Sequence, residues 1–229
     1  MQSTPSLPAV LFDMDGTLVD TEPYWMSAET ALVARFGGVW THADALSVVG
    51  SDLRACARIL QGRGVELSED EIVAELIDTV RLGMLRELPW RPGAMELLQE
   101  LRRNDVPVAL VTMSYGVLAE VLTAACDPGT FAAVVTGDDV THGKPHPEPY
   151  LTGAQRLGVD ISQCVAIEDS PTGIRSAVAS GARTIGVPNI VDLDVPEVVT
   201  VIPSLEELSV PALAAFVATG QLVTSDERS

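Results

Sequence analysis

The sequence predicts an α/β protein whose core is a parallel β-sheet covered by helices on both faces. From residue 89 onward, short apolar runs alternate with segments of helical period, which is the pattern of such a sheet. Residues 20–88 show helical periodicity without a strand pattern between the helices. The apolar run at residues 9–12 suits a strand buried on both faces, and it must join the later sheet to be buried. We therefore expect a Rossmann-like, doubly wound core domain at residues 1–19 and 89–229, and an inserted all-α helical cap domain at residues 20–88.

The inserted segment contains four expected helices. The pair Gly37-Gly38 stops the first of them. Ser68 and Glu71 form a capping box at the start of the longest, which carries a long apolar stripe. The expected helices span residues 25–36, 42–48, 52–61 and 68–88.

The remaining elements of the core alternate between strand and helix along the chain, as parallel sheets require. Pro171 stands at the start of one helix and Gly181 ends it. After the first strand, the expected strands span residues 106–112, 131–136, 164–167, 183–187 and 198–202. The expected helices span residues 94–103, 116–126, 147–157, 171–180 and 211–219.

The 229-residue chain is strongly acidic, with 14 Lys and Arg against 32 Asp and Glu and a net charge of −18. This charge argues against nucleic acid or an anionic membrane as the main partner. A small anionic substrate can still bind where a local cation and a metal ion offset the field. Hydrophobic residues make up 47% of the chain and aromatic residues 4%, so a sizeable core is expected to be mainly aliphatic.

Cys56, Cys126 and Cys164 lie far apart, without the paired spacing of a disulfide or zinc framework. They are expected to be small core residues in a reducing compartment. Residues 1–8 lack the features of a secretory signal, and the sequence lacks the long apolar run of a membrane span. A cytoplasmic location is therefore expected. The protein is further expected to be a monomer that acts on a small molecule.

The first strand leads directly into two aspartates, Asp13 and Asp15, followed by Gly16 and Thr17. Carboxylates at the end of a buried parallel strand project into the crevice where open α/β sheets place their sites. Two acids this close repel each other, so a divalent cation is their natural partner. An ordinary Asp-Gly turn is the alternative interpretation of these residues.

Three later points of the core carry polar residues toward the same edge of the sheet. Thr112-Met113-Ser114 ends a strand, and its hydroxyls and N–H groups can bind a phosphate-sized anion, although Ser and Thr also cap helices routinely. Lys144 stands in a proline-rich loop as a candidate fixed cation, although a lone lysine is usually solvated. Glu168-Asp169 ends a strand at a helix start, where acids can also simply complement the helix dipole.

Together these residues suit phosphoryl transfer through a covalent intermediate. One carboxylate attacks phosphorus, and a divalent cation offsets the repulsion between the two anions. The lysine and the hydroxyl stabilise the remaining charge of the phosphoryl group. A second acid protonates the leaving oxygen and then deprotonates the attacking water.

These motifs resemble those of the haloacid dehalogenase superfamily, in its phosphatase and phosphomutase branch with a helical cap. The first motif corresponds to Asp13-Met14-Asp15-Gly16-Thr17, the second to Thr112, the third to Lys144 and the fourth to Glu168-Asp169. The resemblance implies that Asp13 is the nucleophile and Asp15 the general acid/base. It implies that Mg²⁺ is bound by Asp13, the backbone carbonyl of Asp15 and Asp169, with Glu168 at or next to the metal. Thr112 and Lys144 would bind phosphate, with assistance from Met113 and Ser114.

Residues 20–25 and 168–174 resemble β-phosphoglucomutase-like proteins and sugar-phosphate phosphatases. The mutase has a cap histidine shortly after the first motif, whereas here Trp25 stands near that place and His42 is the nearest histidine. Trp25 is expected in the core of its helix, and Glu22 and Ser51 are further candidates for substrate contact. The absence of that histidine favours hydrolysis over the mutase reaction. The chain is therefore interpreted as a Mg²⁺-dependent phosphatase of a small phosphorylated metabolite, most of all a sugar phosphate, with the cap domain as a lid. The alternatives are a sugar phosphomutase and a non-catalytic metabolite-binding protein of the same fold.

Overall fold

The computed structural model describes residues 7–49, 52–193 and 200–222. The chain forms two compact units, one with the residues up to Asp20 and from Trp90 onward, the other with Thr21–Pro89. Each border lies one residue beyond the border expected from the sequence. Ser51 and residues 198–199, on which expectations from the sequence fall, lie outside the described residues.

The first unit is built on a sheet of six parallel strands among the described residues. The strands are β1 (Val10–Phe12), β2 (Val108–Val111), β3 (Ala133–Val135), β4 (Val165–Glu168), β5 (Arg183–Gly186) and β6 (Thr200–Val201). Their order in the sheet is β3-β2-β1-β4-β5-β6. After β1 the chain adds β2 and β3 on one side of this strand, and it then adds β4, β5 and β6 on the other side. Such a reversal of strand order is a switch point, and it opens a crevice at the carboxyl ends of the strands.

Strand β1 is central and wholly buried, with β2 and β4 as its neighbours. Strands β1, β2, β3 and β5 are shorter than the runs that predicted them, whereas β4 has the expected four residues but lies one residue later. The run at residues 106–112, for example, yields β2 from Val108 only, because Pro107 has no N–H to donate to a neighbouring strand.

The second unit consists of helices α1 (Glu22–Arg35), α2 (His42–Leu46), α3 (Leu53–Gly62) and α4 (Glu69–Arg86). The predicted capping box is present at α4, where Ser68 Oγ accepts from the Glu71 amide and Glu71 accepts from the Ser68 amide at 2.9 Å. Thr41 and Asp44 form a second capping box at α2. Of the predicted apolar stripe, helix α4 buries Ile72, Val73, Leu76, Val80 and Met84. Ile77 is only half-buried, and Leu88 lies beyond the end of the helix.

The core of this helical unit contains a carboxylate that periodicity did not indicate. Glu29 of α1 is 5% exposed, whereas Trp25, expected in the core, is only half-buried. Trp40 Nε1 donates to Glu29 Oε2 at 3.0 Å, and Cys56 Sγ donates to Glu29 Oε1 at 3.7 Å. These donors compensate in part for the burial of the carboxyl group.

The sheet is covered by helices α5 (Ala94–Arg103), α6 (Gly116–Ala124), α7 (Glu148–Leu157), α8 (Pro171–Ser180) and α9 (Val210–Thr219). Helices α5 and α8 have the predicted bounds, and the others differ from them by one or two residues at an end. Cys56 and Cys164 are buried and Cys126 is half-buried, each as a free thiol. Among the described residues, no helix combines the length and apolar character needed to cross a membrane.

Candidate active site

Three neighbouring strands end at one place on the sheet edge, and each delivers a polar residue there. Asp13 follows β1, Thr112 follows β2, and Glu168 is the last residue of β4. Because Phe12 is level with Leu110 and Ile167, Asp13 emerges level with Glu168, and Thr112 follows one residue further along its strand. The parallel sheet therefore brings together residues that lie far apart in the sequence.

Asp13, Glu168 and Asp169 form an acidic cluster, with one carboxylate oxygen of each lying within 4.8 Å of the others. The three residues are 7%, 0% and 9% exposed, respectively. Buried charges of the same sign raise each other's energy, so the cluster needs positive partners.

Lys144 supplies a positive charge to this cluster. Its Nζ donates to Asp13 Oδ1 at 2.5 Å, to Glu168 Oε1 at 2.6 Å and to the Val111 carbonyl at 2.9 Å. These bonds use the three N–H donors of the ammonium group. Lys144 therefore ties Asp13 to Glu168, and it can reach a phosphoryl oxygen only by sharing these donors.

Burial is the largest influence on the pKa values of Asp13 and Asp169. It raises the pKa of Asp13 to about 7, against the opposing charge of Lys144, and repulsion from Glu168 and Asp15 adds to the rise. Burial and then the charges of Asp13 and Glu168 hold the pKa of Asp169 well above its usual range. Burial alone would lower the pKa of Lys144, but the two carboxylates beside it raise that pKa above its ordinary value.

The acidic cluster fits a magnesium ion. When its three carboxylates are ionised, the acidic cluster together with the Lys144 ammonium has a net charge of about −2. Mg²⁺ offsets that charge and prefers oxygen ligands. It would also oppose the effect of burial on the pKa values of Asp13 and Asp169, because a nearby cation favours the ionised form of a carboxyl group.

Asp15 lies in a different environment from Asp13, and its carboxylate is not part of the acidic cluster. Its Oδ2 accepts hydrogen bonds from Ser114 Oγ at 2.7 Å and from Thr112 Oγ1 at 3.3 Å. Thr112 Oγ1 also accepts from the Ser114 amide at 2.9 Å. The two hydroxyls predicted to bind phosphate thus hold Asp15 in this structure.

Met113 lies between these hydroxyl residues in sequence, but its side chain turns elsewhere. It is 36% exposed, and its terminal methyl group lies against Gly143, where an added Cβ would be 2.6 Å from it. The side chain of Met113 therefore contributes no polar group to the site, and only its backbone groups could assist phosphate binding.

Three residues at the cluster were not assigned a role from the sequence. Tyr150 of α7 is wholly buried, and its hydroxyl donates to Glu168 Oε1 at 2.8 Å. Thr17 Oγ1 donates to Asp169 Oδ1 at 3.3 Å, and Ser170 Oγ donates to Glu168 Oε2 at 3.2 Å. Periodicity can indicate that a tyrosine is buried, but it does not show which group its hydroxyl bonds. Because a buried tyrosine hydroxyl requires a hydrogen-bond partner, a tyrosine expected in the core is itself a sign of a nearby polar group.

Two glycines leave space for the carboxylates. Gly16 has φ +87°, and a Cβ there would lie 2.0 Å from Asp169 Oδ2. A Cβ at Gly173, in the first turn of α8, would lie 1.9 Å from Glu168 Oε1. Both positions therefore exclude a side chain if the cluster is to keep its arrangement.

Residues 7–181 match the model of the haloacid dehalogenase-like hydrolase family. Hexitol phosphatase A of Escherichia coli (strain K12) is 32% identical over 203 residues, which cover 87% of this chain and 92% of the relative. Fructose-1-phosphate phosphatase YqaB of the same strain is 32% identical over 180 residues, covering 78% and 95%. Among solved structures, CbbY from Rhodobacter sphaeroides in complex with phosphate has a TM-score of 0.79 and 27% identity, covering 89% of this chain and 96% of that one.

Proposed function

This chain belongs to the haloacid dehalogenase-like hydrolases, and we propose that it is a Mg²⁺-dependent phosphatase of a small phosphorylated metabolite. The family, the α/β fold and the hydrolase class expected from the sequence are confirmed. The observation that carries the proposal is the separation of the two aspartates: Asp13 is paired with Lys144, whereas Asp15 is bound by the hydroxyls of Thr112 and Ser114. One acid is thus arranged for attack and the other for proton transfer.

In the proposed first step, a carboxylate oxygen of Asp13 bonds to phosphorus while the bond between phosphorus and the substrate oxygen breaks. Asp15, in its protonated form, donates its proton to that leaving oxygen. Lys144 holds one oxygen of Asp13 and thereby restricts the orientation of the carboxylate. The product of this step is an aspartyl phosphate on Asp13 and the free alcohol.

In the second step, Asp15 accepts a proton from a water molecule whose oxygen attacks phosphorus. The phosphorus–oxygen bond to Asp13 breaks, inorganic phosphate leaves, and both carboxyl groups return to their starting states. The hydroxyls of Thr112 and Ser114 donate to Asp15, and they would have to share or redirect these donors to stabilise a phosphoryl oxygen.

Asp13, Asp169 and the backbone carbonyl of Asp15, with Glu168 beside them, are the groups that would hold the metal ion. When bound, Mg²⁺ lowers the repulsion between an anionic nucleophile and an anionic substrate. The charge deficit of the acidic cluster supports this assignment.

A sugar phosphate is the substrate class that we propose first, because two of the similar enzymes are a hexitol phosphatase and a fructose-1-phosphate phosphatase. The helical unit, Thr21–Pro89, is proposed as the cap that selects among such substrates. The net charge of −18 makes a small, singly phosphorylated molecule a more suitable ligand than a polyanion.

The test is phosphate release from a panel of sugar, nucleotide and glycerol phosphates, each with Mg²⁺ and with excess chelator. We expect Mg²⁺-dependent release, fastest with sugar phosphates. A product isomer in place of inorganic phosphate would instead identify a phosphomutase. Tight binding without any turnover would identify a metabolite-binding protein.

Asp13→Asn tests the nucleophile and is expected to lower kcat by about 1000-fold or more, since asparagine cannot attack phosphorus as a carboxylate does. Asp105→Asn is the matched control: Asp105 is exposed and has φ +53°, a conformation that asparagine also adopts. Turnover of Asp13→Asn at the wild-type rate would end the assignment of Asp13 as the nucleophile.

A further inference from the structure

A second group of potential metal ligands lies outside the acidic cluster, in the loop before α7 and at the first residue of that helix. It consists of His142, His146 and Glu148, and one ligand atom of each lies within 4.8 Å of the others. His142 Nδ1 is 2.9 Å from Glu148 Oε2, and His146 Nδ1 is 3.9 Å from the same oxygen. The two imidazole rings lie side by side, with their centroids 4.7 Å apart. The group therefore combines two of the three histidines of the chain around one carboxylate oxygen.

The carboxylate of this group is held in place by the backbone. The amides of Thr141 and His142 donate to the two oxygens of Glu148 at 2.7 and 3.0 Å. The loop is also anchored at His146, because Ser176 Oγ of α8 donates to the His146 carbonyl at 2.6 Å. Such fixed surroundings reduce the conformational cost of bringing three ligands to one ion.

The donor set selects the class of metal. Imidazole nitrogens suit zinc, copper and nickel, whereas magnesium and calcium prefer oxygen ligands alone. Two histidines and one carboxylate also form a common ligand set for zinc when a further position remains for water or another ligand. Binding through His146 Nδ1 would replace the hydrogen bond that the Glu148 amide donates to that atom at 3.2 Å. Binding through His142 Nδ1 would likewise replace its 2.9 Å hydrogen bond with Glu148 Oε2.

We propose that His142, His146 and Glu148 form a binding site for a zinc-class divalent ion, separate from the acidic cluster. The two histidines lie on either side of Lys144 in the sequence, so an ion bound between them would brace the loop that carries this lysine. The proposal stands on the arrangement of these three side chains and is independent of the phosphatase assignment.

The test is calorimetric titration of the full chain with Zn²⁺ in an excess of Mg²⁺, which is present to compete with Zn²⁺ for the acidic cluster. We expect one equivalent of Zn²⁺ to bind to the wild type. His142→Ala and His146→Ala should each weaken that binding by about tenfold or more, because each removes one of three ligands. His42→Ala is the matched control, since His42 is an exposed histidine at the start of α2.

Unaltered Zn²⁺ affinity in His146→Ala would overturn the proposal. An equal loss of affinity in His42→Ala would overturn it as well, because the binding would then not depend on this group of residues. The side chains of His142 and His146 are 63% and 50% exposed, so both variants are expected to fold. Unfolding midpoints measured without metal check this directly.

Discussion

Tyr150 shows how a single buried side chain can hold a carboxylate of the site in place. Its hydroxyl and Lys144 Nζ donate to the same oxygen of Glu168, at 2.8 and 2.6 Å. Burial, followed by the charges of Glu168 and Asp13, holds the pKa of Tyr150 well above its usual value, so the hydroxyl remains a donor. Glu168 is thereby kept in one orientation next to Asp13.

Tyr150→Phe removes this hydrogen bond and leaves the ring in place. Because the acceptor is a buried carboxylate, we expect the free energy of unfolding to fall by about 2 kcal/mol. Tyr24→Phe in α1 is the control, since the Tyr24 hydroxyl donates to the Glu87 carbonyl at 2.9 Å in an exposed setting, and a smaller loss is expected there. Urea denaturation measures both losses, and equal losses would contradict a special role for Tyr150.

At the scale of elements, the first turn of α8 is shaped around Glu168. Ser170 caps the helix by accepting from the Gly173 amide at 3.0 Å, and the same hydroxyl donates to Glu168. Gly173 leaves the carboxylate the space that any side chain would fill. A helix start and a strand end therefore constrain each other at this point of the site.

Gly173→Ala is expected to destabilise the protein by about 1–3 kcal/mol and to lower activity, because Glu168 must move. Gly62→Ala, at the end of α3, is the matched helical control. Apart from its chain neighbours and the backbone of its own helix, no described heavy atom lies within 4 Å of a Cβ there, so a neutral or slightly stabilising effect is expected. Thermal unfolding and phosphate release measure the two effects. A Gly173→Ala variant as stable as Gly62→Ala would contradict the steric account.

Glu29 of helix α1 is buried within the helical unit, and this burial makes the stability of the protein depend on pH. Burial raises the pKa of Glu29 to about 7 from 4.5, against the hydrogen bonds from Trp40 and Cys56. The folded state therefore keeps a proton that the unfolded state releases between these two values. As the pH rises from 4.5 through 7, stability is lost, by up to about 3 kcal/mol.

Glu29→Gln removes the ionisation and keeps an acceptor for Trp40. We expect the variant to match the wild type near pH 5 and to be more stable by about 2–3 kcal/mol at pH 8. Glu66→Gln, an exposed position in the same unit, should leave the pH dependence as in the wild type. Urea unfolding at the two pH values measures the difference, and a constant offset between wild type and Glu29→Gln would refute the explanation.

At the scale of the whole molecule, the acidic cluster makes folding and metal binding interdependent. Ionised Asp13, Glu168 and Asp169 repel one another in the folded chain, and less so when the chain is unfolded. A ligand that binds the folded state alone stabilises it by mass action.

Mg²⁺ at about 100 times its dissociation constant is expected to add about 2.7 kcal/mol to the free energy of unfolding. Asp169→Asn should reduce this gain strongly, because it removes a ligand. Without Mg²⁺, the same variant should be as stable as the wild type or more stable, since one buried charge is gone. Asp105→Asn serves again as the exposed control. Thermal unfolding with and without Mg²⁺ measures these effects. If Mg²⁺ stabilised Asp169→Asn as much as the wild type, metal binding at the acidic cluster would be refuted.

Local patterns in the sequence predicted much of the fold and many of the site residues. Alternating apolar and helical segments predicted the parallel sheet and the inserted helices, because periodicity reflects which face of an element is buried. The end of each strand then marked Asp13, Thr112 and Glu168 as neighbours, since parallel strands end at a common edge. Lys144 could be recognised as a candidate cation from its loop alone.

Only the folded chain decided which atoms pair. Lys144 binds Asp13 across 131 positions of sequence, and Thr17 binds Asp169 across 152. The helical pattern placed Trp25 in the core, but Glu29 is buried and Trp25 is not, because packing in three dimensions can override an apolar stripe. Hydrogen bonds are directional and short, so their partners depend on the final positions of side chains rather than on the order of residue types along the chain.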